Sequence, residues 1–127
     1  MKITRILLTA TILTALILFV ATRPTPSQDV MKVASDTHSV LLENDQVRVL
    51  AVHIKPGAIA PMHSHPASVV YILSDAKLKF TRPDGKTAER DLKAGTALWT
   101  EPTTHSAENI GTTDFQEIQV ELKPHAM

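Results

Sequence analysis

Gly57-Ala58-Ile59-Ala60-Pro61-Met62-His63-Ser64-His65-Pro66 is the stretch on which the reading of this chain turns. Strand side chains alternate with period 2, so a His-x-His pair on a strand puts both imidazoles on one face. About forty residues later comes Glu101-Pro102-Thr103-Thr104-His105-Ser106-Ala107-Glu108-Asn109, a second histidine close behind a proline. Half of the six histidines therefore sit in two short, Pro-flanked segments. A third histidine from a distant strand completes a metal site if the chain between builds a scaffold that brings the two segments together.

The surrounding pattern is one of short β-favouring runs broken by turn chemistry. Residues 30–33 and 39–42 read as edge strands, and 46–54 as a longer strand stopped by Lys55-Pro56-Gly57. Val69-Val70-Tyr71-Ile72-Leu73 is a continuous apolar run, short and β-branched enough to be a strand buried on both faces. Lys77-Leu78-Lys79-Phe80-Thr81 alternates cleanly and should bury Leu78 and Phe80. Arg82-Pro83-Asp84-Gly85-Lys86 is the strongest turn, and 87–92 returns from it as a hairpin partner. Residues 96–100, 106–110 and 115–122 follow, the last alternating Ile118, Val120 and Leu122 against Glu117, Gln119 and Glu121. About nine strands with turns every 8 to 12 residues make an antiparallel sandwich or barrel. The fold class is all-β.

Composition narrows the chemistry. With 127 residues, one compact domain is expected at 30–127, behind a leader and a linker. Thirteen basic residues balance thirteen acidic ones, and no basic stripe marks a nucleic-acid surface. The absence of cysteine removes disulfides, thiolate metal ligands and a thiol nucleophile. Any metal must be held by His, Asp or Glu.

Lys2 and Arg5 precede an uncharged run, 6–22, which has the form of an export signal. As a helix it reaches about 25 Å, near the lower limit for spanning a bilayer, so residues 1–22 are a cleaved signal peptide or a retained membrane anchor. Val20 and Thr22 are small enough for a cleavage site. Cleavage leaves 11 basic against 13 acidic residues, a mildly acidic protein in the periplasm or outside the cell. The Pro-interrupted segment 23–29 is the linker.

Gly57-x5-His63-x-His65, an apolar strand, a Pro-Asp-Gly hairpin and then Gly95-x6-Pro102-x2-His105-x3-Asn109 together resemble the two-motif signature of the cupins, most closely the small single-domain bacterial ones. The resemblance spans roughly residues 40–122. It implies a double-stranded β-helix, the jelly-roll barrel, with His63, His65 and His105 gathered at one mouth around a divalent metal. Cupins usually carry a ligating Glu four or five residues after the second histidine, and Val69 and Val70 stand there. Three neutral imidazoles leave a cation about two positive charges, which favours an anionic chelating ligand. Three-His cupins of this kind include thiol and diketone dioxygenases, so iron(II) is the favoured metal, with manganese, nickel, copper or zinc also compatible.

The remaining candidates have two readings each. Val69 is a pocket group or plain core. Tyr71, on the same face, aims its hydroxyl into the pocket or bonds backbone. Met62 and Trp99 are pocket walls or ordinary packing, and His53 faces the barrel or the solvent. Glu101 and Glu108 could replace the missing carboxylate or stand in water. His38 and His125, near the domain ends, receive no role, and no inward carboxylate is evident. The leading function is an exported, metal-binding cupin for a small anionic molecule, in its sharpest version an iron(II) dioxygenase. The alternatives are a non-enzymatic binding module or degenerate structural cupin, and an isomerase or lyase. Pairing of barrel edges predicts a homodimer.

Overall fold

The computed structural model describes residues 28–124. The expected leader over 1–22, residues 23–27 of the linker and His125 lie outside them. The linker's last residue already belongs to the domain. Asp29 caps a one-turn helix, α1 (Val30–Val33), its Oδ1 accepting from the Met31 N–H at 2.9 Å. This corrects the edge strand expected over these residues. Valine favours strands only weakly on its own account, and here the Asp cap and complete burial of Val30 decide the conformation.

Among the described residues nine strands follow: β1 (His38–Glu43), β2 (Val47–Ile54), β3 (Ile59–His65), β4 (Ser68–Ile72), β5 (Ala76–Thr81), β6 (Thr87–Leu92), β7 (Ala97–Thr100), β8 (Thr103–Asn109) and β9 (Phe115–Leu122). They form two antiparallel sheets, ordered β1-β2-β9-β4-β7 and β3-β8-β5-β6. Leu50, Val52, Ile54, Val70, Ile72 and Phe115 of the first sheet meet Ala60, Leu78 and Ala107 of the second in one core. The hairpin between β5 and β6 closes as its sequence requires. Gly85 takes φ +82°, its N–H donates to the Arg82 carbonyl at 2.9 Å, and Asp84 Oδ1 accepts from the Lys86 N–H at 3.0 Å.

Residues paired across antiparallel strands share a face, so the inner face of the larger sheet reads as rows. His38, Val52, Glu117 and Ile72 make one row, Leu50, Gln119 and Val70 the next, and Arg48, Glu121, Ser68 and Thr100 the third. The polar series of β9 thus faces inward. Its apolar series faces out, in a continuous row Leu42, Val49, Val120, Val69 and Trp99. The strand at 69–73 is therefore not buried on both faces: Val69 and Tyr71 are 41% and 47% exposed, because no layer covers the outer side of this sheet among the described residues.

The smaller sheet owes its parity to a bulge. Ala60 pairs with Ala107 but His63 with His105, so one extra residue is inserted on β3 at Pro61-Met62. Pro61 has no N–H to lose from the ladder there. Without the insertion Met62 and Ser64 would face inward. With it, His63 and His65 do, and both are buried.

Asn109 ties the ends of the sandwich together. Fully buried, its Nδ2 donates to the Ile54 and Thr113 carbonyls, each at 2.8 Å, and its Oδ1 accepts from the Gly111 N–H at 3.0 Å. Asn109→Ala strands three backbone groups and should lower unfolding free energy by about 2 kcal/mol in urea titration. A change within a few tenths of the wild-type value contradicts this account of its role.

Candidate metal centre

β1 and β3 meet where the two sheets face each other, and three histidines converge there. One ring nitrogen each from His38, His63 and His65 lies within 4.8 Å of the others, and all three residues are buried. The ring centroids of His63 and His65 stand 4.6 Å apart, and that of His38 is 5.1 Å from the first and 5.7 Å from the second.

Their hydrogen bonds fix which nitrogen is free. His63 Nδ1 lies 2.5 Å from the Pro61 carbonyl, which can only accept, so this nitrogen carries the proton. His65 Nδ1 lies 2.7 Å from Glu121 Oε1 and donates to the carboxylate. The Thr37 hydroxyl gives its one proton to the Ala34 carbonyl at 3.1 Å and so must accept from His38 Nδ1 at 2.9 Å. In all three rings Nε2 is the nitrogen left to bind a metal. Such a partner on the far nitrogen is how metal-binding imidazoles are oriented.

Charge is arranged to hold this state. Burial is the largest influence on His38 and His63 and lowers them to about 3 and about 4, so both rings are neutral at pH 7. Glu121 is almost wholly buried. Burial alone would raise its carboxyl, but the hydrogen bonds from His65 and Arg48 outweigh it and hold the group below the usual range. Arg48 Nε is 2.6 Å from Glu121 Oε2, and its Nη2 is 2.8 Å from Asp29 Oδ2. Asp29 thus caps α1 and anchors Arg48, Arg48 anchors Glu121, and Glu121 orients His65.

His105 stands beside this set without joining it. Its ring centroid is 4.9 Å from His63 and 5.6 Å from His65, it packs on Phe80 at 5.1 Å, and burial lowers it to about 3. The three histidines of the two motifs are neighbours, but the ring nitrogens that lie within 4.8 Å of one another join His63 and His65 to His38, which lies outside both motifs. The β1–β2 register brings it inward: His38 pairs with Val52, whose side chain is in the core. A Thr-His pair opening a strand was the available signal, and without the register nothing distinguished it from a surface pair.

A cavity of about 770 Å³ opens beside the histidines, walled by Val52, Ile54, Val70, Ile72 and Leu78. The other pocket candidates fare unevenly. Val69 and Tyr71 point away from the cavity, since Ser68, Val70 and Ile72 take the inward positions of β4. Met62 sits in the bulge and His53 is exposed, 2.7 Å from Asp114. Trp99 borders the cavity, but its pairing with Val69 turns the side chain to the outer face, where it is 55% exposed and donates from Nε1 to Glu101 at 2.7 Å. Glu108 pairs with Lys79 on the surface. The inward carboxylates are Glu117 and Glu121 of β9, masked in the sequence by a strand whose two faces are each continuous with a patterned surface.

The donor set fits a divalent first-row metal: three imidazole nitrogens, each held from behind, beside an open cavity. No protein-family model and no curated protein matches the sequence. Solved structures do. A cupin domain from Bordetella pertussis Tohama I is 25% identical over a match covering 68% of this chain and 92% of that one, with a TM-score of 0.63. A conserved protein with a double-stranded β-helix domain from Klebsiella pneumoniae is 24% identical, covering 83% and 85%, with a TM-score of 0.55. A cupin superfamily protein from Desulfitobacterium hafniense DCB-2 is 17% identical, covering 68% and 76%, with a TM-score of 0.52. The two antiparallel sheets and the likeness to these proteins give this chain the fold of a small cupin-type domain.

Proposed function

We propose that this protein binds a divalent metal through Nε2 of His38, His63 and His65 and accepts a small anionic molecule in the adjoining cavity. The observation that carries the reading is that three rings whose nitrogens lie within 4.8 Å of one another each have Nδ1 engaged from behind, leaving Nε2 to a metal. Bound there, the metal supplies Lewis acidity and, if it is iron(II), redox chemistry toward dioxygen. The chain's own residues do the rest. Glu121 and Arg48 hold the His65 ring in one orientation, and imidazole ligands leave the positive charge for an anion. Calorimetry with zinc, iron(II) and manganese should give one equivalent bound per chain. Absence of binding for all of them contradicts the reading.

The leader pattern at 1–22 supports export, and the exposed row Leu42, Val69 and Trp99 supports pairing with a second copy. Sedimentation should show a dimer whose dissociation is promoted by Val69→Asp. A monomer at every concentration contradicts the pairing.

A further inference from the structure

Among the carboxyl groups lining the cavity, Glu117 is the one that stands on the inner face of the larger sheet outside the metal set. Glu117 stands in the middle of the inner face, between Val52 of β2 and Ile72 of β4, both buried hydrocarbons. It lines the cavity, and among the described residues its carboxyl has neither a hydrogen bond nor an ion pair. Its neighbours along β9 are engaged: Gln119 donates to Ser68 Oγ at 2.9 Å, and Glu121 is held by Arg48 and His65. Half-buried between hydrocarbon neighbours and facing the cavity, this carboxyl finds its partner in whatever occupies the cavity. Burial pushes the Glu117 carboxyl up to about 8, so at neutral pH it is chiefly an acid with an O–H to donate.

Two strand spacings separate Glu117 from His38 along their shared row, about 10 Å between backbones. That leaves room between their side chains for a molecule of a few heavy atoms. Arg82, Arg90 and Lys93 line the cavity against Asp91 and Glu101, an excess of one positive charge.

We propose that the cavity takes a small dicarboxylate bearing a hydroxyl or carbonyl beside one carboxylate, and that Glu117 binds the second carboxylate through an O–H···O⁻ hydrogen bond. The inference rests on the metal reading above, because the first carboxylate and its adjacent oxygen form the chelating end, directed to the histidines. A neutral acid and a carboxylate make a short, charge-assisted bond, whereas two carboxylates repel. Binding of the second carboxylate therefore requires Glu117 to be protonated. The other charged or titratable groups around the cavity are His38 from β1, His63 and His65 from β3, His105 from β8, Arg90 and Asp91 from β6, Arg82, Lys93 and Glu101 from the connections. The strands beside Glu117, β2 and β4, present only hydrocarbon to it. Of the groups with displaced titrations, His38, His63 and His105 change charge far below pH 7. Glu117 is displaced into the range above it.

The test compares malate with lactate, which lacks the second carboxylate, on the zinc-loaded full chain by calorimetry between pH 6 and 9.5. Malate should bind at least about tenfold tighter than lactate at pH 7, and the ratio should fall about tenfold per pH unit above the Glu117 midpoint. Glu117→Gln keeps an N–H donor, so its ratio should stay flat with pH. Glu117→Val should bring the ratio near one while zinc is still bound. A wild-type ratio near one, or the same pH course in Glu117→Gln, overturns the role of Glu117. If neither acid binds to zinc-loaded protein, the ligand class is wrong. If the wild-type chain binds no zinc, the metal reading falls and this inference with it.

Discussion

Glu117→Gln is expected to stabilise the protein at alkaline pH by about 2–4 kcal/mol and to leave it unchanged near pH 4. The unfolded chain loses this proton around 4.5, and the folded one at about 8. Between those values the native state holds more protons than the unfolded state, so stability falls as pH rises. The contribution of Glu117 is fully present below about 4.5 and is gone once pH passes about 8. The full separation would correspond to about 5 kcal/mol, and partial access to the cavity reduces it. Glutamine has the same shape and never ionises, so its difference from the wild type should open through pH 5–8 and then level off. For a domain of this size that is a melting-temperature gain of about 10 °C or more at pH 9. Equal melting temperatures at pH 5 and pH 9 for the two proteins would mean that Glu117 is partnered or solvated. A group that costs stability, next to a metal-binding set, is the pattern expected of a residue kept for function.

The second large effect concerns the histidines and the carboxylate behind them. His63→Ala or His65→Ala should each weaken zinc binding by more than about 100-fold, since each removes one of three donors. Glu121→Gln should weaken it by about 10- to 100-fold while leaving all three imidazoles in place, because an amide at this position no longer draws the His65 proton firmly to Nδ1. The order matters more than the absolute values. If Glu121→Gln were as damaging as His65→Ala, Glu121 would be acting as a ligand, and if it had no effect, the His65 orientation would not depend on it.

Much of this is legible in the sequence. Turn chemistry at Lys55-Pro56-Gly57 and Arg82-Pro83-Asp84-Gly85-Lys86 punctuated the chain correctly, and the all-β class followed from strand spacing. The double motif placed His63, His65 and His105 near one another, and they are neighbours in space. What could not be read depended on parity. On β9, Ile118 and Val120 suggest an apolar inner face, yet Phe115 is the residue anchored in the core, and counting in twos from it sends Glu117, Gln119 and Glu121 inward. On β4 every residue from Val69 to Leu73 is apolar or aromatic, so alternation gave no direction, and the expected pocket roles of Val69 and Tyr71 went to Val70 and Ile72. The bulge at Pro61-Met62 changes the parity of β3 midway. His38 became visible only when the β1–β2 register placed it in the row of Val52. In the proposed metal site the gap left by Val69 and Val70 is filled from elsewhere in the barrel, by an imidazole on β1, with Glu121 behind His65.

The central claim is that the metal is held by His38, His63 and His65, with His105 as a neighbour. Zinc affinity measured by competition with a chromophoric chelator, for His38→Ala and His105→Ala side by side, tests it most directly. The account predicts a loss of more than about 100-fold for His38→Ala and less than about tenfold for His105→Ala. The opposite order, with His38→Ala binding zinc like the wild type and His105→Ala losing it, would contradict the account.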